Sequence, residues 1–239
     1  MILHIETSGV NCSVALSNEG ILLAEQTENA GRFTHSEHLH LFITTVMQQA
    51  GITFSELKAI AVSAGAGSYT GLRIGIATAK GLCFALNIPL IAIPTLQIIA
   101  AQAPHNPIVI PMIDARRMEV YSAVLNEKYT FIAPTQSVIL NEESYSEYLA
   151  QGKVVFLGDG SDKFAAICKH PNALFISGVF PQAKDMIPFA TEKYKLQSFE
   201  NTAYFVNISR SPAKCGSVTK TKASRSNVPP PLPKAEPAP

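Results

Sequence analysis

Apolar and polar positions alternate in short blocks at the start of the chain and then change to a helical period. Residues 2–6, 12–17 and 21–28 read as three strands, the second and third joined as a hairpin through Ser17-Asn18-Glu19-Gly20. Thr34-His35-Ser36-Glu37 has capping-box spacing. Leu39, Phe42, Ile43, Val46, Met47 and Ala50 then recur every third or fourth residue, which predicts a helix that stops at Gly51. A second box, Thr53-Phe54-Ser55-Glu56, opens a short turn before an apolar strand over 57–62. A glycine-rich stretch, residues 63–75, follows, and a helix over 70–86 ends at Asn87 and Pro89.

The second half repeats this order. Residues 108–113, 119–126 and 129–138 predict three strands, 144–151 a helix, 154–157 a strand and 162–169 a helix. A short strand over 174–177 and an amphipathic helix over 183–199 complete it. Pro104, Pro107 and Pro111 crowd the junction, which places a boundary there. Two copies of a mixed sheet covered by helices make a duplicated α/β fold, with subdomains at 1–103 and 104–208. Residues 209–239 are Ser/Lys/Thr-rich and then proline-rich, with Val228-Pro229-Pro230-Pro231-Leu232-Pro233. So little apolar surface reads as a disordered tail, with proline-rich recognition by a partner as the alternative.

Composition narrows the class. A length of 239 residues with 47% apolar and 15% charged residues suits one large or two small folded domains. No apolar stretch is long enough to span a membrane, and the N-terminus reads as a first strand, not a signal peptide. Cys12, Cys83, Cys168 and Cys215 are far apart, which argues against a metal cluster or disulfide framework and fits the cytoplasm. The net charge of +1 divides unevenly, with −4 over 1–208 and +5 over 209–239. A slightly acidic body is a poor autonomous nucleic-acid binder, so an RNA substrate would need a basic surface from elsewhere.

Candidate chemistry gathers at four places. The strand–turn–helix around Gly65-Ala66-Gly67-Ser68 brings backbone N–H groups together in a way that favours anions, or else packs a helix tightly on its sheet. Glu6, with Thr7, Ser8 and Ser13 after it, matches the way actin-like and sugar-kinase folds hold Mg²⁺ and phosphate, though an ordinary polar hairpin has the same residues. The candidate nucleotide-binding set is therefore Thr7, Ser8, Ser13, Gly65, Gly67 and Ser68. His35, His38 and His40 lack a third ligand, and His38 and His40 cannot share a helix face, so no metal site is assigned. Gly71, Gly75, Ala79 and Cys83 form a small-residue stripe that packs either on its own sheet or against a partner helix. The partner option, taken with the helix over 37–50, gives an interface set of Leu39, Phe42, Ile43, Val46, Gly71, Arg73, Gly75 and Ala79. The charged turn Asp114-Ala115-Arg116-Arg117 fits a ligand at the cleft between the halves or a salt-bridged hairpin equally well. No GxSxG elbow is present, and no catalytic residue is assigned.

Together these segments resemble the TsaB (YeaZ) family of the bacterial tRNA threonylcarbamoyladenosine machinery. The resemblance spans residues 2 to about 205 and rests on Ile5-Glu6-Thr7-Ser8, Cys12-Ser13-Val14-Ala15-Leu16 and His35-Ser36-Glu37-His38-Leu39. It continues in Gly65-Ala66-Gly67-Ser68-Tyr69-Thr70-Gly71-Leu72-Arg73, Ile113-Asp114-Ala115-Arg116 through Tyr121, Gly158-Asp159-Gly160 and Asp185-Met186-Ile187-Pro188. It implies the actin-like ATPase (RNase H-like) fold and kinship with M22 glycoproteases. It also implies a catalytically inactive paralogue of TsaD, the subunit that transfers threonylcarbamoyl to the adenosine 3′ of the anticodon. TsaD carries an HxxxH metal motif, whereas here His35 is followed by His38 and position 39 is Leu39. The implied role is a heterodimer with TsaD, joined by the ATPase TsaE, through contacts of the first two helices. tRNA would be met only through the complex, with no cofactor of the chain's own and ATP and Mg²⁺ entering with the complex. Alone, the chain would form a homodimer. The family's usual Gly-Pro-Gly-Ser and first-strand Asp are Gly65-Ala66-Gly67-Ser68 and Glu6 here, and the sequence leaves the family pattern after Phe205. The rival readings are an independent actin-like-fold enzyme, a small-metabolite kinase or metalloprotease, and an interaction module acting through the tail.

Overall fold

The computed structural model describes residues 1–28 and 35–206, so the expected cap at Thr34 and the 209–239 tail lie outside the described residues. Strand β1 (Ile2–Glu6) is buried along its whole length because it is the centre of a sheet. It pairs antiparallel with β2 (Cys12–Asn18) and parallel with β4 (Ala59–Ser63). Strands β3 (Ile21–Glu28) and β5 (Leu90–Ile93) form the edges, giving the order β3-β2-β1-β4-β5. The second sheet is built from β6 (Ile108–Asp114), β7 (Glu119–Asn126), β8 (Phe131–Ile139), β9 (Val154–Leu157) and β10 (Ala173–Ile176). Its order, β8-β7-β6-β9-β10, repeats the first, with the same antiparallel hairpins and parallel crossovers. This is the duplicated arrangement of the actin-like ATPase fold.

Helices α1 (His35–Gln49) and α2 (Tyr69–Leu86) cover one face of the first sheet. Leu39, Ile43 and Val46 from α1 and Leu72, Ile76 and Ala79 from α2 meet Leu3, Ile5, Val14 and Leu16 there. The opposite face is covered by α6 (Ile187–Lys195) and the 3-10 turn before it (Ala183–Met186), through Met186, Phe189 and Ala190. The last helix therefore returns to the first sheet. Asn11 Nδ2 donates to Pro181 O at 3.1 Å and Lys193 Nζ to Ala92 O at 2.7 Å, which tie the return in place. The 104–208 subdomain expected from sequence is corrected accordingly, because its final helix is built into the first half. Helices α4 (Ser146–Leu149) and α5 (Ser161–Ala165) cover the outer face of the second sheet and are shorter than the predicted 144–151 and 162–169.

Helix α3 (Thr95–Ala100) lies between the two halves. Ile98 packs with the first sheet, while Leu96 and Ile99 pack with Val109, Leu125 and Leu157 of the second. A helix apolar on both sides has no amphipathic period, and β5 before it is only four buried residues, so the sequence pattern leaves both unassigned. No helix among the described residues is long and apolar enough to cross a membrane.

The small-residue stripe on α2 faces inward. A Cβ at Gly75 would collide with the Thr7 hydroxyl, whereas Gly81, on the outer side of the same helix, has open space around it. Gly75→Ala is expected to lower stability by about 1–3 kcal/mol. Gly81→Ala is expected to raise it by about 0.5–1 kcal/mol through helix propensity. Chemical denaturation of the two variants measures the contrast, and equal midpoints would contradict it.

Candidate functional site between the two sheets

The β1–β2 connection (7–11) and the glycine turn after β4 form one wall of a cleft of about 620 Å³; the β6–β7 hairpin and the turn after β9 form the other. The first wall is held by close backbone contacts. Ser68 N–H donates to Ser8 O at 2.6 Å, and a Cβ on Gly67 would sit 2.5 Å from that same oxygen. Only glycine fits there, and its φ of +148 is one that other residues rarely adopt. Thr7 Oγ1 donates to Gly71 O at 2.8 Å, and Ser68 Oγ accepts the Gly71 N–H at 3.2 Å to cap α2.

These contacts divide the candidate nucleotide set. Ser8, Gly67 and Ser68 line the cleft, whereas Thr7, Ser13 and Gly65 do not. Ser13 is buried, accepts the Ala183 N–H at 3.1 Å and shares a 2.9 Å hydroxyl contact with Thr27. Gly65 O accepts the Thr95 N–H at 2.8 Å, tying the turn to α3. Thr7, Ser13, Ser68 and Gly65 are thus engaged in holding strand, turn and helices together, while the Ser8 hydroxyl has no hydrogen-bond partner among the described residues.

Glu6 is fully buried and does not line the cleft. Its Oε1 accepts the Ser8 N–H at 2.5 Å, and its Oε2 has no hydrogen-bond partner among the described residues. Burial pushes its carboxyl up to about 7; nearby Ser8 and Ser63 pull it down and the Asp185 charge adds to the rise. Neither of those two hydroxyls makes a well-formed hydrogen bond to it. Asp185, on the turn before α6, is itself pushed up to about 6, chiefly by burial. A fully buried carboxyl closed off from the cleft does not fit a hydrated Mg²⁺. Sequence reasoning singled out Glu6 but missed its proximity to Asp185, because that juxtaposition depends on the turn before α6 returning to the first sheet.

On the facing wall, Lys163 Nζ pairs with Asp114 Oδ1 at 2.6 Å, and Asp114 N–H donates to Asp159 Oδ1 at 2.9 Å. Asp114 thus pairs with Lys163 of α5 and not with Arg116 or Arg117 of its own turn, and Arg116 and Tyr121 line the cleft.

The expected partner set also divides. Leu39, Ile43, Val46, Gly71, Gly75 and Ala79 are buried in the chain's own core, Phe42 is half-buried and Arg73 is exposed. A regular apolar stripe marks the face a helix lays on its own sheet, so five of these are corrected from interface to core, while Ile43 is in the core and also borders the groove described next. The outer sides of α1 and α2 border a groove of about 330 Å³ lined by His40, Ile43, Thr44, Phe54, Thr78, Gly81 and Leu82. Leu41 and Phe84, on these helices, are 62% and 88% exposed. His38 is engaged with Glu28 of β3 and stacks near Phe42.

The buried carboxyl makes stability depend on pH with a definite sign. A folded-state value near 7 against 4.5 means the native state holds a proton that the unfolded chain releases, so this contribution is full below 4.5 and lost as pH rises through 7. His4, pushed down to about 3 by burial, acts oppositely, with stability growing as pH rises toward 6.5. The difference between wild type and Glu6→Gln isolates the first group. It is expected to shift in favour of Glu6→Gln by on the order of 3 kcal/mol between pH 4.5 and 8. Urea titrations across that range check it, and a pH-independent difference would contradict it.

The family model described as "TsaD: tRNA N6-adenosine threonylcarbamoyltransferase" matches residues 28–199. A protein named tRNA threonylcarbamoyladenosine biosynthesis protein TsaB from Escherichia coli (strain K12) is 31% identical over 202 residues, covering 81% of this chain and 87% of that protein. Its namesake from Bacillus subtilis (strain 168) is 32% identical over 163 residues, covering 66% and 70%. A crystal structure described as an uncharacterized protein with similarity to peptidase YEAZ from Pseudomonas aeruginosa superimposes with a TM-score of 0.76 at 27% identity, covering 87% of this chain and 97% of that one. With the duplicated sheet order and the clamped glycine turn, these similarities lead to one assignment: the chain belongs to the TsaB (YeaZ) family.

Proposed function

We propose that this chain is the supporting, non-catalytic subunit of the complex that forms threonylcarbamoyladenosine in tRNA, docking on a TsaD-like transferase subunit through the outer face of α1 and α2. The observation that carries the docking surface is the groove bordered by these helices, with the small residues Thr78 and Gly81 among its lining and Leu41 and Phe84 exposed on the same two helices. Small residues let another helix approach closely, and exposed large apolar groups mark contact surfaces. The same face offers a route to self-association when the partner is absent. The non-catalytic role draws on Leu39, which lies fully buried in the core where the metal-binding relatives' motif would place its second histidine. A TsaE-like ATPase completes the proposed assembly, with ATP and Mg²⁺ handled there. The rival reading as an independent nucleotide-binding enzyme draws on the cleft, but the inward engagement of Thr7 and Ser13 weighs against it.

Affinity capture of a TsaD-like subunit by the full chain tests the surface. Leu41→Asp and Phe84→Asp are each expected to weaken capture by about 2 kcal/mol or more while leaving the unfolding midpoint unchanged. Undiminished capture would remove the interface from this face. In the same preparation, the chain alone is expected to modify no tRNA, with modification appearing only when the TsaD-like subunit, the TsaE-like ATPase and the activated threonylcarbamoyl donor are supplied together. Robust modification by the chain alone would overturn the non-catalytic role.

A further inference from the structure

The mouth of the cleft carries side chains that the supporting role does not use. Tyr69 and Thr70, at the start of α2, form one lip, and Arg116 and Tyr121, on the β6–β7 hairpin, form the other. One turn along α2, Arg73 lays its guanidinium 4.2 Å from the centre of the Tyr69 ring, a cation–π contact that holds both at the surface. Arg73, Arg116 and Arg117 are all exposed, and none forms an ion pair among the described residues. The nearby acids are not paired with these guanidinium groups: Asp114 pairs with Lys163 and accepts the Arg116 backbone N–H, and Asp159 accepts the Asp114 N–H. Arg116 and Arg117 also have φ of +73 and +49, conformations that glycine or asparagine adopts more easily. Two consecutive arginines held this way point to a purpose for their side chains beyond closing the turn.

We propose that this Arg/Tyr mouth binds a nucleotide of single-stranded RNA, its base against Tyr69 or Tyr121 and its flanking phosphates on Arg116, Arg117 and Arg73. The proposal rests on the reading above that the chain works in a tRNA-modifying complex. Aromatic faces accept any base by stacking, and arginines around them neutralise the phosphates that run past. Arg116 lines the cleft, Arg117 follows it in the exposed turn and Arg73 lies over the ring of the lining Tyr69, whereas the hydroxyls of Thr7 and Ser13 are turned into the fold. That arrangement favours a strand crossing the mouth over a free nucleotide seated at its floor. The charge of −4 over residues 1–208 keeps the intrinsic affinity low, so the contact acts by adding to binding supplied by the partner subunit.

The test uses the full chain in complex with a TsaD-like subunit and a fluorescein-labelled twelve-nucleotide single-stranded RNA of mixed sequence, read by anisotropy at several salt concentrations. Arg116→Gly/Arg117→Gly relaxes the turn while removing both charges. It is expected to weaken RNA binding about tenfold and to make the slope of log K against log salt shallower by about 1.4. Tyr69→Ala is expected to weaken binding by about tenfold, and Tyr69→Phe to retain it. Unchanged affinity in the double arginine variant and in Tyr69→Ala would overturn the proposal. Displacement of the labelled RNA by AMP or ATP as readily as by unlabelled RNA would also overturn it, in favour of a free nucleotide. Capture of the partner is measured on the same samples: if wild type fails to capture it, the docking reading fails. The same variants assayed on the isolated chain at low salt then decide the RNA proposal separately.

Discussion

The structure depends on the grip between the end of the first strand and the glycine turn after the fourth. Ser8 O receives the Ser68 N–H at 2.6 Å, Gly67 lies directly against Ser8, and Thr7 reaches from β1 to Gly71 O and presses on Gly75. Through these contacts the central strand fixes where α2 starts and how closely it lies on the sheet. α2 in turn shares the core with α1, and the position of the turn is passed to α3 through the Thr95 N–H on Gly65 O. Because α3 packs on both sheets, one short set of backbone contacts also sets the position of the second half. Removing any of these glycines is therefore a change to the whole fold, not to one loop.

The same grip explains the character of the cleft. A turn rich in N–H groups at a helix start is suited to phosphate. Here one of those groups bonds to Ser8 O, and the neighbouring hydroxyls are taken by Gly71, Thr27 and Ala183. Glu6 stands behind this closed wall, buried and shifted toward its protonated form. The shape of a ligand-binding wall is kept while several of its polar groups serve the fold, and the exposed polar chemistry along the cleft includes that of Tyr69, Thr70 and Arg116.

Much of this was legible in the sequence where a segment has one buried side or a strong turn signal. Strands β1, β3, β7 and β9 and the ending of α2 at Asn87 follow directly from periodicity and from the residues that punctuate it. What was hidden lacked contrast. Helix α3 has no polar face, β5 is four buried residues, and the return of α6 to the first sheet depends on packing of Met186, Phe189 and Ala190 that no local pattern encodes. The partner face was hidden for a related reason. Helical spacing picks out Leu39, Ile43, Val46, Gly75 and Ala79 because they are core, while the exposed Leu41 and Phe84, on which the proposed interface draws, have no period of their own. Of the hydroxyls at Thr7, Ser13 and Ser68, only that of Ser68 belongs to a residue lining the cleft, and the partners of Thr7 and Ser13, Gly71 and Ala183, lie far away in sequence.

The central claim is that the two helices over the first sheet use opposite faces for different ends, the regular stripe for the core and the irregular outer side for a partner subunit. Hydrogen–deuterium exchange of the full chain, alone and with a TsaD-like subunit, measures this most directly. The account expects new protection along 37–48 of α1 and 77–85 of α2, with β8 and β10 at the edges of the second sheet unchanged. Protection confined to the second half, with α1 and α2 exchanging as they do in the free chain, would contradict it.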